Sequence, residues 1–292
     1  MTEALGAAAS PLDITRRRDR RTNVDSVVTG LCTLATAGVV IVLGAIILFV
    51  LVAGLAGLTV QFLTRETEGY NAGGGLAAIL GSLQMVPLAL LIAAPLGILG
   101  GIYLAEASDG RVANAARFAT ETIAGLPSVL VGIFVFTILV APFGQYSGGA
   151  GAVALAIIML PIIARSVEEI LRLVPPSVRE AALALGIPWW RTVTSVILRT
   201  AAAGILTVVM LAVARAAGET APLLLTTVGG DAVNIGDFQQ PMDSLPAFIW
   251  FNSGQPDDTL NAQAWAASLV LLVFVLVVNL IVRSRSIGQR AA

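Results

Sequence analysis

The 292-residue chain has no histidine and no lysine, a single cysteine at position 32, and charge at only 12% of its positions. Each scarcity excludes some chemistry. Without histidine there is no Ser-His-Asp triad, no Cys-His pair and no imidazole metal site, and one cysteine cannot form a disulfide within the chain. Cys32 lies in an apolar run, where it is expected to be a small buried hydrophobe. Formal net charge is −1 and no basic stripe with interleaved aromatics occurs, so no nucleic-acid partner is indicated. A phosphate-cradling Gly-x-x-x-x-Gly-Lys-Ser/Thr loop needs a lysine. The run GGGLAAILGS has only the glycines, so the chain is not expected to hydrolyse ATP itself. No metal site, no cofactor and no catalytic residue are expected.

What is abundant is apolar: 57% of residues are hydrophobic. A soluble domain carries roughly 25% charged residues, and so few charges cannot cover a soluble surface of this size, whereas lipid accepts apolar surface. The chain reads as a polytopic membrane protein. A spanning helix needs roughly 20 apolar residues, so the distance between charges is the ruler. One span falls between Asp25 and Arg65 and a second between Glu68 and Glu106. The charge-free stretch from Glu121 to Arg165 holds two more, separated by GQYSGGAG at 144–151. A fifth begins near Val196 and runs through AAAGILTVVMLAVA, and a sixth covers 264–282. Lipid offers the backbone no hydrogen bonds, so all six are predicted helices and the fold class is all-α. Pro87, Pro95, Pro127 and Pro161 mark places for kinks or broken helices.

Arginine placement orients the spans. Arg16, Arg17, Arg18, Arg20 and Arg21 precede the first; Arg111 and Arg117 follow the second; Arg165, Arg172, Arg179, Arg191 and Arg199 separate the fourth from the fifth; Arg283, Arg285 and Arg290 close the chain. All fall on one side, and the opposite loops hold only Arg65, so both termini are expected in the cytoplasm. The apolar run after TRRRDRR exceeds the roughly 7 to 15 residues of a secretory h-region and reads as a retained anchor. The expected layout is a mobile N-terminal tail at 1–22 near anionic headgroups, a transmembrane domain at 23–285, and a C-terminal tail at 286–292. Within the domain, a cytoplasmic loop occupies about 165–199 and an outer loop about 220–263.

The cytoplasmic loop, RSVEEILRLVPPSVREAALALGIPWWRTVTSVILR, is too polar for lipid and too patterned for a passive linker. It reads as two short helices around a turn. Pro175 and Pro176 end the first, Ser177 caps the second with Glu180 completing a capping box, Gly186 closes it, and Pro188 marks a restart. Ala181, Ala182, Leu183 and Leu185 then form a compact apolar surface. Two readings stay open on pattern alone: a hairpin resting on lipid with Trp189 and Trp190 as anchors, or a docking element.

The run EAALALG at 180–186, with VIL at 196–198, resembles the EAA motif of ABC-importer permeases, whose coupling helix docks in a groove of a cytoplasmic ATPase. ARAAGETAPLL at 214–224, AGLPSVLVGIF at 124–134 and the whole stretch 161–186 resemble the A-type permeases of phosphate-specific importers, a likeness covering about 25–283. Arg199 departs from it, standing where many relatives have a proline, and this bears on the start of the fifth span. The resemblance implies an ABC type I importer permease with six transmembrane helices, coupled to its ATPase through Glu180, Ala181, Ala182 and Gly186. It implies phosphate as substrate. The implied partners are a homologous C-type permease, a cytoplasmic ATPase dimer and an extracytoplasmic phosphate-binding protein, all at a bacterial cytoplasmic membrane. Rival readings are a sulfate or molybdate permease, a secondary transporter using Arg215 and Glu219 as a proton relay and, more remotely, an intramembrane enzyme.

Fifteen residues separate Arg199 from Arg215, fewer than a span needs, so Arg215 and Glu219 are expected within or at the outer edge of the apolar layer. A charge at the bilayer centre costs at least about 2.5 kcal/mol, so it should face a cavity or a partner. At i and i+4 the two can pair. Arginine's planar fork suits phosphate, and hydrogen phosphate can donate its proton to a carboxylate where sulfate cannot. The alternative is a structural ion pair. Arg165, Glu168 and Glu169 are expected as a solvated helix end, with a secondary site as the other reading. Glu121, between Thr120 and Thr122 at the start of the third span, is a further secondary candidate. The outer segment 229–263, which has no basic residue, is expected to form a partly helical cap, with LPAFIWF at 245–251 as an interfacial helix.

Overall fold

A computed structural model describes residues 11–67, 73–107, 110–229 and 232–288, with side chains described within 25–281. No strand occurs among the described residues. The chain divides into two units, 1–52 and 53–292. The first is most of helix α1 (Pro11–Gly57). The arginine-rich stretch is helical from Pro11, so this part of the expected tail continues the anchor helix, while 1–10 lie outside the described residues. Cys32 is exposed rather than buried, as are Leu31 and Leu34 beside it. Its apolar run addresses the surroundings of the helix, not a core.

The second unit contains α2 (Val60–Thr64), α3 (Leu76–Glu106), α4 (Arg111–Gly125) and α5 (Ser128–Val135), which passes into a π-helical turn, Phe136–Val140. Then come α6 (Gly148–Arg172), α7 (Pro176–Ala184), α8 (Trp189–Arg191), a second π-helical turn (Thr192–Ile197) and α9 (Leu198–Ala217). α10 (Ala221–Thr226), α11 (Leu245–Asn252) and α12 (Asp258–Gly288) complete it. Among the described residues five helices are long and apolar enough to cross a membrane: Asp25–Gly57, Leu76–Glu106, Gly148–Arg172, Trp189–Ala217 and Asp258–Ile281. The fifth expected span therefore starts at Trp189, and Arg199 lies inside the rod rather than at its end.

The third expected span is not one helix. Arg111–Gly125 and Ser128–Val140 meet at 103°, and only together do they count as a sixth span. Pro127 explains the break: it lacks an N–H and pushes Leu126 out of the helical region, to φ −71° and ψ 138°. Pro87, Pro95 and Pro161 lie inside helices that run through them.

The glycine-rich break is also shorter than the sequence suggests, because α6 begins within it at Gly148, capped by the Ser147 hydroxyl accepting from the Ala150 N–H at 3.1 Å. Gly144, at φ +62°, turns the chain as expected, whereas Gly148, Gly149 and Gly151 serve close approach. Gly148 N–H donates to the Gln240 carbonyl (2.9 Å) and Gly149 N–H to that of Phe238 (2.8 Å), so the segment before α11 satisfies the free start of α6. Deeper in, α3 crosses α6 through Gly97 and Gly101. A Cβ at Gly101 would lie 2.6 Å from that of Val167, and one at Gly97 2.8 Å from that of Ile163. Met85, Met159, Ile163, Val167 and Leu171 fill this spine, and Ile197, Val209 and Ala212 of the Trp189–Ala217 rod belong to the same core.

The segment leading into α11 is pinned to α3. The Ser82 hydroxyl accepts from the Leu245 N–H (2.8 Å), and the Gln84 side chain donates to the Asn234 carbonyl (3.1 Å) while accepting from the Gly236 N–H (2.7 Å). α11 is more than an interfacial helix: Leu245, Ala247 and Phe248 are buried, with Phe248 edge-on to Phe62 at 6.0 Å, while Trp250 and Phe251 are exposed.

Candidate translocation and docking sites

The Arg215–Glu219 pair forms, although not on one helical face. α9 ends at Ala217, and the N–H groups of Gly218 and Glu219 turn back to the carbonyls of Arg215 (3.1 Å) and Ala216 (3.2 Å). Glu219 thus sits in the break before α10. Arg215 Nη2 approaches Glu219 Oε1 at 3.4 Å, with the arginine side chain 62% exposed and the glutamate 14%. That is longer than the roughly 2.7–2.9 Å of a strong charge-assisted hydrogen bond, and one nitrogen of the fork is used, so donors remain for a ligand. Arg215 lines a cleft of about 500 Å³ with Ile123, Ala124 and Leu126 around the Pro127 break, Ser128 and Val131 of α5, and Ile158 and Ile162 of α6. The break in the third span therefore opens beside the one arginine expected to meet substrate.

The loop helix expected to be capped at Ser177 is α7, which begins two residues earlier than that cap implies. Pro176 occupies the first helical position with Pro175 as N-cap, and no side chain caps the helix, so the Ser177–Glu180 capping box does not form. Proline's fixed φ and missing N–H suit that first position. The C-terminus closes as expected. Gly186 has φ +76°, its N–H donates to Leu183 (2.9 Å), and the Ile187 N–H donates to Ala182 (3.2 Å), the paired bonds of a Schellman motif. Ala182 is buried against the body, whereas Glu180, Ala181, Leu183 and Leu185 are exposed. Trp189 and Trp190 are exposed too, with the Arg191 guanidinium 4.9 Å above the Trp190 ring.

The structure brings the secondary candidates together. Arg165 reaches Glu121 at 3.1 Å and Glu169 at 3.1 Å on an exposed face. Glu168 departs from the solvated reading, being 2% exposed and held by Arg117 Nε (2.8 Å) and Arg172 Nη2 (2.8 Å), with Arg165 at 3.7 Å. It is covered because α4, angled away from α5, packs on α6 and lays Arg117 over it. Sequence reasoning misses a second pair altogether: Arg179 of α7 grips Glu106, the last residue of α3, with both terminal nitrogens, Nη2 to Oε1 at 2.7 Å and Nη1 to Oε2. The glutamate side chain is 4% exposed. Residues 73 positions apart at two polar helix ends give no pairing signal beyond opposite charge.

Long apolar helices interrupted by a glycine-closed polar helix, with a loosely paired arginine in a cleft, define a membrane transport subunit. The family model for the binding-protein-dependent transport system inner membrane component matches residues 97–284, and the chain belongs to that family. It is similar to the phosphate transport system permease protein PstA of Pasteurella multocida, 40% identical over 240 residues, 81% of this chain and 85% of that one. PstA of Yersinia pestis is 42% identical over 233 residues, 79% of each chain. PstA 1 of Mycobacterium tuberculosis H37Rv is 38% identical over 210 residues, 72% of this chain and 68% of that one. Among solved structures, a chain of the bacterial alginate ABC transporter in complex with its alginate-bound periplasmic protein superposes with a TM-score of 0.66 at 15% identity, covering 91% of this chain and 96% of that one. A chain of the inward-facing MetNI methionine transporter gives 0.60 at 17% identity, covering 73% and 94%. The fold is that of an ABC type I importer permease.

Proposed function

We propose that the chain is the A-type permease subunit of an ABC importer for inorganic phosphate, working with a separate ATPase. The observation that carries this reading is the near-full-length likeness to permeases of phosphate transport systems. Arg215 is the anion contact. With the cleft empty, Glu219 holds the guanidinium from one side; an entering hydrogen phosphate takes its free donors and gives its own proton as a hydrogen bond to the carboxylate. Sulfate has no such proton, so this arrangement favours phosphate over sulfate or molybdate. A pair that holds loosely also releases, as a conduit must.

The exposed side of α7, with Glu180 and Ala181, meets a PstB-type ATPase dimer, while Ala182 and Gly186 fix the helix that presents it. A PstC-type permease encloses the path from the other side, and a PstS-type phosphate-binding protein delivers to the outer cap. Residues 23–285 form the transmembrane domain between short tails, with the coupling loop at about 165–199 and the outer loop at about 220–263. The arginine asymmetry supports cytoplasmic termini. The network of Arg165, Glu168, Glu169 and Glu121 braces α4 to α6 rather than meeting substrate, because its one buried carboxylate is already occupied by arginines.

The reconstituted importer tests the substrate. Phosphate, presented by the binding protein, should stimulate ATP hydrolysis in liposomes, and stimulation by sulfate or molybdate instead would refute the phosphate assignment. Orientation is tested with a Ser253→Cys variant in a Cys32→Ser background. Ser253 is exposed in the outer segment, so an impermeant thiol reagent should label it in intact cells, and labelling only after the cytoplasm is opened would reverse the topology.

A further inference from the structure

α7 has two faces. Glu180, Ala181 and Leu183 point away from the body, whereas Arg179 and Ala182, three positions apart and neighbours on a helix, point toward it. On the inner face the polar hold is Arg179 on Glu106, two-pronged and closed around a carboxylate that is 4% exposed. A buried ion pair is a poor device for stability, because desolvating two charges offsets their attraction, but a bidentate one sets distance and orientation closely. Its position is informative: it joins the docking helix directly to the end of α3, across the fold, and not through the short connection of α7 to α6.

The same end of α3 is held from a second side. Leu104, in its last turn, offers a carbonyl that has no partner within the helix, and Arg117 Nη2 donates to it at 2.8 Å while Arg117 Nε holds Glu168 of α6. Arg117 belongs to α4, and the far end of α4, at Ile123 and Ala124, lines the cleft of Arg215. Arginine hydrogen bonds thus join the docking helix to the last turn of α3, through Glu106, and that same turn to α4, through the Leu104 carbonyl, and α4 borders the anion cleft.

We propose that Glu106 and Arg179 form a positioning link: the pair carries movement of the docking helix into α3 and α4, and so ties ATP hydrolysis on the partner subunit to opening of the Arg215 cleft. This rests on the importer reading, and the two are tested separately. Stimulation of the wild-type complex by an oxyanion tests the reading. The link is tested by anion transported per ATP hydrolysed, measured in liposomes with whichever oxyanion stimulates the wild type.

Glu106→Gln and Arg179→Gln should each lower that ratio by about tenfold, the scale of coupling between residues in contact, with the complex still assembled and ATP still hydrolysed. The double variant should be no worse than either single one. A ratio unaffected by the amount of folded complex separates a link from a brace. A wild-type ratio in Glu106→Gln, additive losses in the double variant, or loss of assembled complex with a normal ratio in what remains would each overturn the proposal. Glu106→Cys with Arg179→Cys, in a Cys32→Ser background, gives an independent arm. The unbridged pair should be uncoupled, and a short bifunctional thiol reagent should restore the ratio; coupling without the bridge, or none with it, would also overturn the proposal.

Discussion

Arg215–Glu219 and Arg179–Glu106 use the same two residue types in opposite ways. In the first the arginine is mostly exposed and touches its partner through one nitrogen at 3.4 Å; in the second the carboxylate is buried and both terminal nitrogens are engaged. An arginine with donors to spare can meet a passing anion, whereas one whose fork is filled can only hold. Glu168 is held as well, a buried carboxylate with arginines on three sides, although both 2.8 Å contacts fall on Oε1 and the buried Oε2 accepts no hydrogen bond. Charge in this membrane protein thus divides into a part kept available and a part held inside the fold, and substitutions should separate the two.

The largest effect is expected at the available charge. Arg215→Ala should abolish phosphate uptake while the complex still assembles, because an exposed guanidinium contributes little to packing and the chain holds no lysine or histidine to replace its donors. Arg215→Lys should recover only part, since a point charge cannot make the bidentate contact. Uptake per assembled complex decides the matter, and a wild-type rate for Arg215→Ala would place this arginine outside the path. Glu219→Gln sharpens the comparison further: if the carboxylate tempers the arginine, release of phosphate should slow, whereas a brace would lose protein instead.

Glu168, which braces α4 to α6 and does not touch the docking helix, should behave the other way. Glu168→Gln leaves Arg117 and Arg172 without the carboxylate they share, and breaking a buried pair costs about 3–5 kcal/mol. The expected result is a sharp fall in assembled complex, with normal transport by whatever remains. Full assembly would show that burial of Glu168 is not the constraint that its geometry implies.

A smaller, intermediate effect is expected at Gly186. Its φ of +76° excludes most side chains, at roughly 1–2 kcal/mol for a residue forced into the left-handed region, although a Cβ there would meet no atom within 4 Å. Gly186→Leu should therefore insert and assemble but hydrolyse ATP without moving phosphate, as the closing turn of α7 loosens. Gly186→Asn, which tolerates that conformation, should keep most of the coupling. Equal and normal uptake in both would remove the docking turn from the mechanism.

What is legible in the sequence follows from which cost leaves a local mark. A charge inside an apolar run is conspicuous, so Arg215 and Glu219 stand out, and a glycine closing a short polar helix is visible in EAALALG. Leu126–Pro127 is visible as a proline but not as a right-angled turn, because distance between charges measures span length and not direction. Glu168 reads as solvated because only the folded chain places Arg117 over it. Glu106–Arg179 is invisible for the same reason: each residue alone looks like the polar end of a helix. The GQYSGGAG run misleads only in part, because glycine serves both turns and close approach: Gly144 turns, and α6 uses Gly148, Gly149 and Gly151 for the second.

The smallest effect is expected where charge is available but has only a cap to make. Asp257 stands just before α12, and its Oδ1 accepts from the N–H groups of Thr259 (2.7 Å) and Leu260 (3.2 Å), the geometry of a helix N-cap. The Thr259 N–H first, and then that of Leu260, hold its carboxyl below the usual 3.8, against a weak opposing effect of burial. A folded-state value below the unfolded one means the ionised form is favoured by folding. Its contribution is therefore complete at neutral pH and is lost as pH falls through the folded value, below 3.8. Asp257→Ala should lower the thermal midpoint of the assembled complex slightly at pH 7 without changing uptake, and the gap to wild type should close as the solution is acidified. Asp257→Asn, which caps without ionising, should keep most of the midpoint and remove that pH dependence. A gap that persists unchanged in acid would mean that Asp257 acts through something other than its ionised cap.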